Sequence, residues 1–155
     1  MKEKDMRQYL MSLEGLKEEL RLVNSHITEH HNTEVEVNLS PVLSDMPSAH
    51  EGSDKTANLA IWRVEKIVDL KSRKEELLRI IFSITSVLCN LNQVELEIIE
   101  NRYLIHERGK RNPSMECVAE MIDRNIRTVW DVENRVLDRM IAIYNEYYNK
   151  KKSLD

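Results

Sequence analysis

The sequence predicts an all-α fold, with long N-terminal helices paired as a hairpin or coiled coil and a C-terminal helix-turn-helix. Three observations predict it. Only 3 glycines and 3 prolines punctuate 155 residues, too few for the turns an all-β chain needs. Apolar residues recur at alternating intervals of three and four, the period of one helix face. Charged residues, 32% of the chain, occupy the positions between them, as on solvated helix surfaces. With 41% hydrophobic residues the chain is too apolar to stay fully disordered. The pattern divides at residue 91. Residues 1–91 read as a helical oligomerisation or interaction region, with a flexible connector at 32–55. Residues 92–155 read as a second domain.

Residues 4–30 form the first predicted helix. Met6, Tyr9, Leu13, Leu16, Leu20, Val23 and Ile27 make an unbroken heptad seam along it. Gly15 lies inside this helix, at a cost of roughly 1 kcal/mol relative to alanine. Residues 32–55, NTEVEVNLSPVLSDMPSAHEGSDK, hold two of the three prolines and many Ser, Asp and Asn. Loops longer than about 12–15 residues are uncommon in compact domains, so this stretch reads as a connector. Val35, Val37 and Leu39 alternate within it and suggest a short extended piece. Residues 55–91 read as one long helix, with Ile67, Leu70, Leu77, Ile81, Ile84, Leu88 and Leu91 on a seam that Lys74 interrupts. Two seams joined by a connector suit a hairpin, an intermolecular coiled coil, or both.

Residues 92–155 carry the functional signal. Asn92 and Glu95 have the spacing of a capping box and start a helix that reaches about Leu104. A basic loop follows at 105–113. Ser114 caps a short helix ending near Ile122, residues 123–125 break it, and Asn125 caps a last helix to about Asn149. Short helix, three-residue break and longer helix make the layout of a helix-turn-helix. Val118, Ala119 and Ile122 fall inward on the first helix, and Val129, Val132, Val136 and Leu137 on the second. The outward side of the last helix begins with Asn125, Ile126, Arg127, Thr128, Trp130 and Asp131, then Asn134 and Arg135. Arg, Thr and Asn are side chains that contact base edges or phosphates. Trp130 reads as packing at the core edge, with contact to the DNA sugar-phosphate as the alternative.

Residues 91–140 resemble region four of bacterial sigma factors. Leu91, Glu95, Ile98, Ile99, Arg102 and Tyr103 are similar to that region's opening helix, SMECVAEMI at 114–122 to its next helix, and 125–135 to its recognition helix. More narrowly, most of the chain resembles phage late-gene transcriptional regulators of the RinA/ArpU type. The connector motifs SPVLSDMP (40–47) and GSDK (52–55) carry part of that likeness. The resemblance implies a phage or prophage regulator in a bacterial cytoplasm that binds double-stranded DNA and activates late or packaging genes. Region four also docks on RNA polymerase, so an interaction protein with little DNA contact is a second reading, and a small-terminase-like packaging factor a third. The sequence departs from the pattern at several places. Asp123 stands where a Gly or small turn residue is usual, Asn125 where Ser is, and Ile126 where Arg is. Asp131 and Glu133 stand where basic or neutral residues are common. Those two acids lower the positive potential expected of the face, although Asp131 can accept from cytosine N4.

The formal net charge is -4, which argues against a binder held by bulk charge. The local basic surplus lies at Arg102, Arg108, Lys110 and Arg111 and at 150–152. Arg102, Arg108, Lys110, Arg111 and Lys150, Lys151 and Lys152 are therefore candidate phosphate contacts, the lysine run reading equally as a solvated tail, and Ser114 is a further candidate DNA-binding residue. Weak monomer binding makes a homo-oligomer, a dimer first, part of the expected mechanism. No apolar run approaches the length of a membrane span, and the N-terminus lacks a signal-peptide core, so a cytoplasmic protein without membrane contact is expected. Cys89 and Cys117 read as buried free thiols in apolar helical contexts. His26 and His30 have the i, i+4 spacing of metal ligands, but no third ligand except Glu29 is fixed beside them, and no metal or cofactor is expected. No catalytic constellation is present, so an enzyme is not expected.

Overall fold

The computed structural model describes residues 1–39, 53–105 and 112–152. Among these the regular elements are all helical: α1 (Glu3–Met11), α2 (Leu13–Leu39), α3 (Ser53–Leu88), α4 (Gln93–Ile99), α5 (Met115–Met121) and α6 (Ile126–Lys152). A π-helical turn, Glu100–Leu104, prolongs α4. The chain forms two compact units. One joins Met1–Leu16 to Arg79–Asp155 and the other is Lys17–Leu78. The N-terminal helix thus belongs with the C-terminal helices.

The first heptad seam is not carried by one helix. Ser12 ends α1 with φ -103° and ψ 17°, and its hydroxyl donates to the Gln8 carbonyl at 2.9 Å. Such back-bonding by serine competes with helix continuation. The break changes which side chains are covered. Met6 and Leu10 are fully buried with Leu13 and Leu16, whereas Tyr9 is half-buried.

The extended piece expected at Val35–Leu39 is also absent, because α2 continues to Leu39. The stretch from Asn32 to Leu39 has neither Gly nor Pro, and its glutamates are good helix formers. Of the connector, 40–52 lie outside the described residues.

In the first unit the buried side chains include Met6 and Leu10 of α1, which lies against α6 and the π-helical turn, and Ile80, Ile84 and Val87 at the end of α3. Ile98 and Ile99 of α4 and Val118 and Ala119 of α5 join them, with Val129, Val132, Val136, Leu137 and Met140 of α6. Covering each aliphatic side chain of this size contributes about 1.5–3 kcal/mol. Arg79 lies over the rings of Tyr144 and Tyr147, 5.5 and 5.8 Å from their centroids, which ties the end of α3 to the late turns of α6. The α4 capping box forms as its spacing predicts: Asn92 Oδ1 accepts from the Glu95 amide at 2.9 Å, and Glu95 Oε2 accepts from the Asn92 amide at 3.2 Å.

In the second unit, Val23 of α2 and Ile67 and Leu77 of α3 are buried. Arg73 of α3 bonds Glu19 of α2 at 2.8 Å. Leu22, Ile61, Trp62, Val64, Val68 and Leu78 remain exposed.

The cysteines are free, but they are not the buried thiols expected. Cys89 is exposed and Cys117 half-buried. Cys89 lies in the turn after α3, past the packed part of the helix. Among the described residues no helix is long and apolar enough to cross a membrane, and no group of three His, Cys, Asp or Glu could hold a metal ion.

Candidate nucleic-acid interface

Local chemistry fixes the angle at which α6 leaves α5. Ser114 caps α5, its hydroxyl accepting from the Cys117 amide at 3.2 Å. At the other end the Asp123 amide donates to Glu120 at 3.3 Å and the Arg124 amide to Ala119 at 2.9 Å. These two bonds form a Schellman turn. Asp123 sits at its left-handed position with φ 51°, a conformation where glycine has no steric cost. Asn125 then starts α6, its Oδ1 accepting from the Arg127 amide at 2.8 Å. Asp123→Gly is expected to raise stability by about 0.5–1 kcal/mol, since a side chain in the left-handed region costs roughly 1–2 kcal/mol and glycine's greater freedom when unfolded offsets part of that. Urea unfolding of the two proteins checks it; a lower midpoint for the glycine variant would contradict the turn.

The inward residues expected on α5 and α6 are inward. Val118, Val129, Val136 and Leu137 have no exposure and Ala119 and Val132 have 6%, while Ile122 is half-buried. On the opposite side of α6, Asn125, Arg127, Thr128, Asp131, Asn134 and Arg135 are exposed, and Ile126 is half-buried. Their spacing places Arg127, Asp131, Asn134 and Arg135 along one face of the helix. An open groove on this face is lined by Asp131, Asn134, Arg135, Asp138, Arg139 and Ala142.

Several side chains are not where the sequence pattern puts them. Glu133 does not reach this face: it is fully buried. The Tyr103 hydroxyl donates to its Oε1. Arg7 of α1 stands 3.6 Å from its Oε2, and Arg102 stands 3.9 Å from its Oε1. Arg102 therefore turns inward and lies over the Tyr103 ring, 5.6 Å from the centroid, instead of joining the basic loop. Trp130 is 43% exposed, on the outer side of α6 and not packed at the core edge. Arg135 is half engaged already, bonding Glu95 of α4 at 2.8 Å. Arg108, Lys110 and Arg111 lie outside the described residues.

Two exposed side chains join the face that the sequence pattern did not single out. Arg124 follows the left-handed residue, where an arginine beside a helix start is a signal that could have been read. Met121, 62% exposed, ends α5 beside it. The exposed ionised groups from 114 to 139 number five acids (Glu116, Glu120, Asp123, Asp131, Asp138) against four arginines (124, 127, 135, 139). Nothing in that balance attracts a polyanion at long range, so any recognition here is carried by particular contacts. Glu116 stays anionic: hydrogen bonding to its own amide, then to Ser114, with the Arg102 charge adding, holds its carboxyl below the ordinary glutamate value. Comparison of the chain with protein-family models, with curated proteins and with solved structures returns no match.

Proposed function

We propose that the chain is a sequence-specific DNA-binding regulator of transcription, of phage or prophage type. Residues 92–155 act as a helix-turn-helix, with α6 as recognition helix. The N-terminal helices hold two or more copies together. One observation carries the reading: Arg127, Thr128, Asp131, Asn134 and Arg135 stand exposed on the first turns of a helix that a capped short helix and a Schellman turn hold at a fixed angle. The first turns of a recognition helix are the part that meets base edges. The activation of late genes and the bacterial cytoplasm belong to the same proposal and rest on the sequence resemblance.

The test is a salt-dependent gel shift on DNA flanking the protein's own gene. Each good base contact is worth about 1–3 kcal/mol, so Arg127→Ala with Thr128→Ala should weaken specific binding by roughly thirtyfold or more, and adding Arg135→Ala should weaken it further. The double variant is the cleaner arm, because Arg135 also holds Glu95. Unchanged binding by the triple variant would sink the assigned face.

A second reading has its own observation. The excess of acids around α5, with Met121 and Trp130 exposed among them, suits a protein partner such as RNA polymerase. Capture of core polymerase by the chain after nuclease treatment would favour it.

A further inference from the structure

Glu95 of α4 is 5% exposed, and both of its carboxylate oxygens are engaged. Oε2 accepts from the Asn92 amide in the capping box. Oε1 takes Nη2 of Arg135 on α6 at 2.8 Å, and Arg139, one turn further along α6, stands 4.0 Å from Oε2. The two arginine side chains are nevertheless 54% and 49% exposed. A guanidinium carries five N–H donors in a fixed fork, so Arg135 keeps most of its donors for an acceptor outside the protein. Asp131 lies four residues before Arg135 and Asp138 three after it, spacings at which ion pairs form along a helix. Among the described residues, Arg135 pairs with Glu95 instead.

Distance along α6 indicates the outside acceptor. A helix rises about 1.5 Å per residue, so Arg135 lies about 12 Å beyond Arg127 and Arg139 about 18 Å beyond it. The major groove is about 12 Å wide. With the first turn of α6 at the base edges, these two arginines reach the rim of the groove, where the acceptors are phosphate oxygens. Arg135 cannot swing away without stranding a buried carboxylate, which is costly. Its guanidinium is therefore held in place before DNA arrives, and the cost of ordering it is not charged to binding. We propose that Glu95 is a positioning residue, holding Arg135 and Arg139 as a clamp for backbone phosphates of double-stranded DNA. The proposal rests on the reading of α6 as a recognition helix and assigns a task to its later turns.

The test is a gel shift of the full chain over a series of salt concentrations. One duplex is the DNA flanking the protein's own gene and the other an unrelated sequence of equal length. Arg139→Ala should weaken binding to both duplexes alike and reduce the slope of log affinity against log salt by about 0.9. Glu95→Gln keeps an acceptor for the Asn92 amide but loses the charge that holds the arginines. Net charge alone makes that variant bind a polyanion more tightly, and a role confined to the α4 cap leaves binding unmoved. The positioning role gives the opposite sign, a loss of roughly threefold or more on both duplexes. With Arg135→Ala and Arg139→Ala already in place, Glu95→Gln should have no further effect. Circular dichroism checks that each variant is folded, and the Arg139→Ala arm stands by itself because that side chain is half exposed. Binding by Glu95→Gln that equals or exceeds that of the unaltered chain, an equal loss when both arginines are absent, or an unchanged salt slope for Arg139→Ala would each overturn the proposal. Where such a result accompanies binding that still depends on Arg127 and Thr128, the recognition helix stands and the clamp alone falls. An unaltered chain that binds neither duplex at any salt overturns both.

Discussion

Glu133→Ala is expected to destabilise the protein by about 3 kcal/mol, read from the urea midpoint at neutral pH. The side chain is fully buried among α1, the π-helical turn and α6. Its carboxylate accepts from Tyr103 and faces Arg7 and Arg102. Truncation leaves the buried Tyr103 hydroxyl without its acceptor, a penalty of about 1–3 kcal/mol. It also leaves Arg102, whose side chain is 17% exposed, beside a cavity without its counter-charge. Arg7 is 27% exposed and can turn to water, which keeps the loss toward the lower end of the range for a broken buried pair. Glu133→Gln keeps the volume and an acceptor for Tyr103, so it should lose less than the alanine variant. A loss under about 1 kcal/mol for alanine would mean that the three elements are not joined through this carboxylate.

The same side chain gives stability a pH dependence of known sign. Burial pushes the Glu133 carboxyl above the ordinary glutamate value, against the opposing charges of Arg7 and Arg102, and Glu3 adds to the upward push. The folded protein therefore holds this proton to higher pH than the unfolded chain does. The associated stability is fully present below the ordinary glutamate value and is lost as pH rises through the folded one. Glu133→Gln removes a titrating group and should show a smaller fall in unfolding midpoint over that window. An equal fall in the two proteins would place the pH dependence elsewhere.

Glu133 also shows what the sequence could and could not express. Position 133 lies four residues after Val129 and four before Leu137, both buried, so helical spacing alone puts it on the inner stripe. Its charge drew attention outward, because a buried carboxylate needs partners that arrive from elsewhere in the chain. Arg7 lies 126 residues away, and no local pattern announces that pairing. Local chemistry was legible where it is complete within a few residues. The Asn92–Glu95 capping box, the Ser114 cap and the Asn125 start of α6 all formed at the expected positions. The inward residues of α5 and α6 followed from the 3.6-residue period. The Ser12 break was less legible, since serine interrupts a heptad seam only when its hydroxyl turns back onto the preceding helix. Of the candidate site, the exposed row on α6 was readable from periodicity. The inward turn of Arg102 and the partial engagement of Arg135 were not, because each depends on an acid brought close by folding.

Leu10→Ala should cost about 3 kcal/mol, within the usual 2–5 kcal/mol for a fully buried leucine, while Tyr9→Ala should cost clearly less. An unbroken heptad helix over 4–30 orders these two the other way, with Tyr9 on the seam and Leu10 outside it. The break at Ser12 reverses them. Leu10 has no exposure and Tyr9 is half-buried. Met11, 46% exposed, is the internal control, since its replacement by alanine should stay within about 0.5 kcal/mol. Urea unfolding of the three variants at a single protein concentration checks the order, because association shifts apparent stability with concentration. A larger loss for Tyr9 than for Leu10 would restore the continuous seam. The expected order means instead that α1 is a structural part of the unit that presents α6. Loosening Leu10 should then release α1, with Arg7, from Glu133.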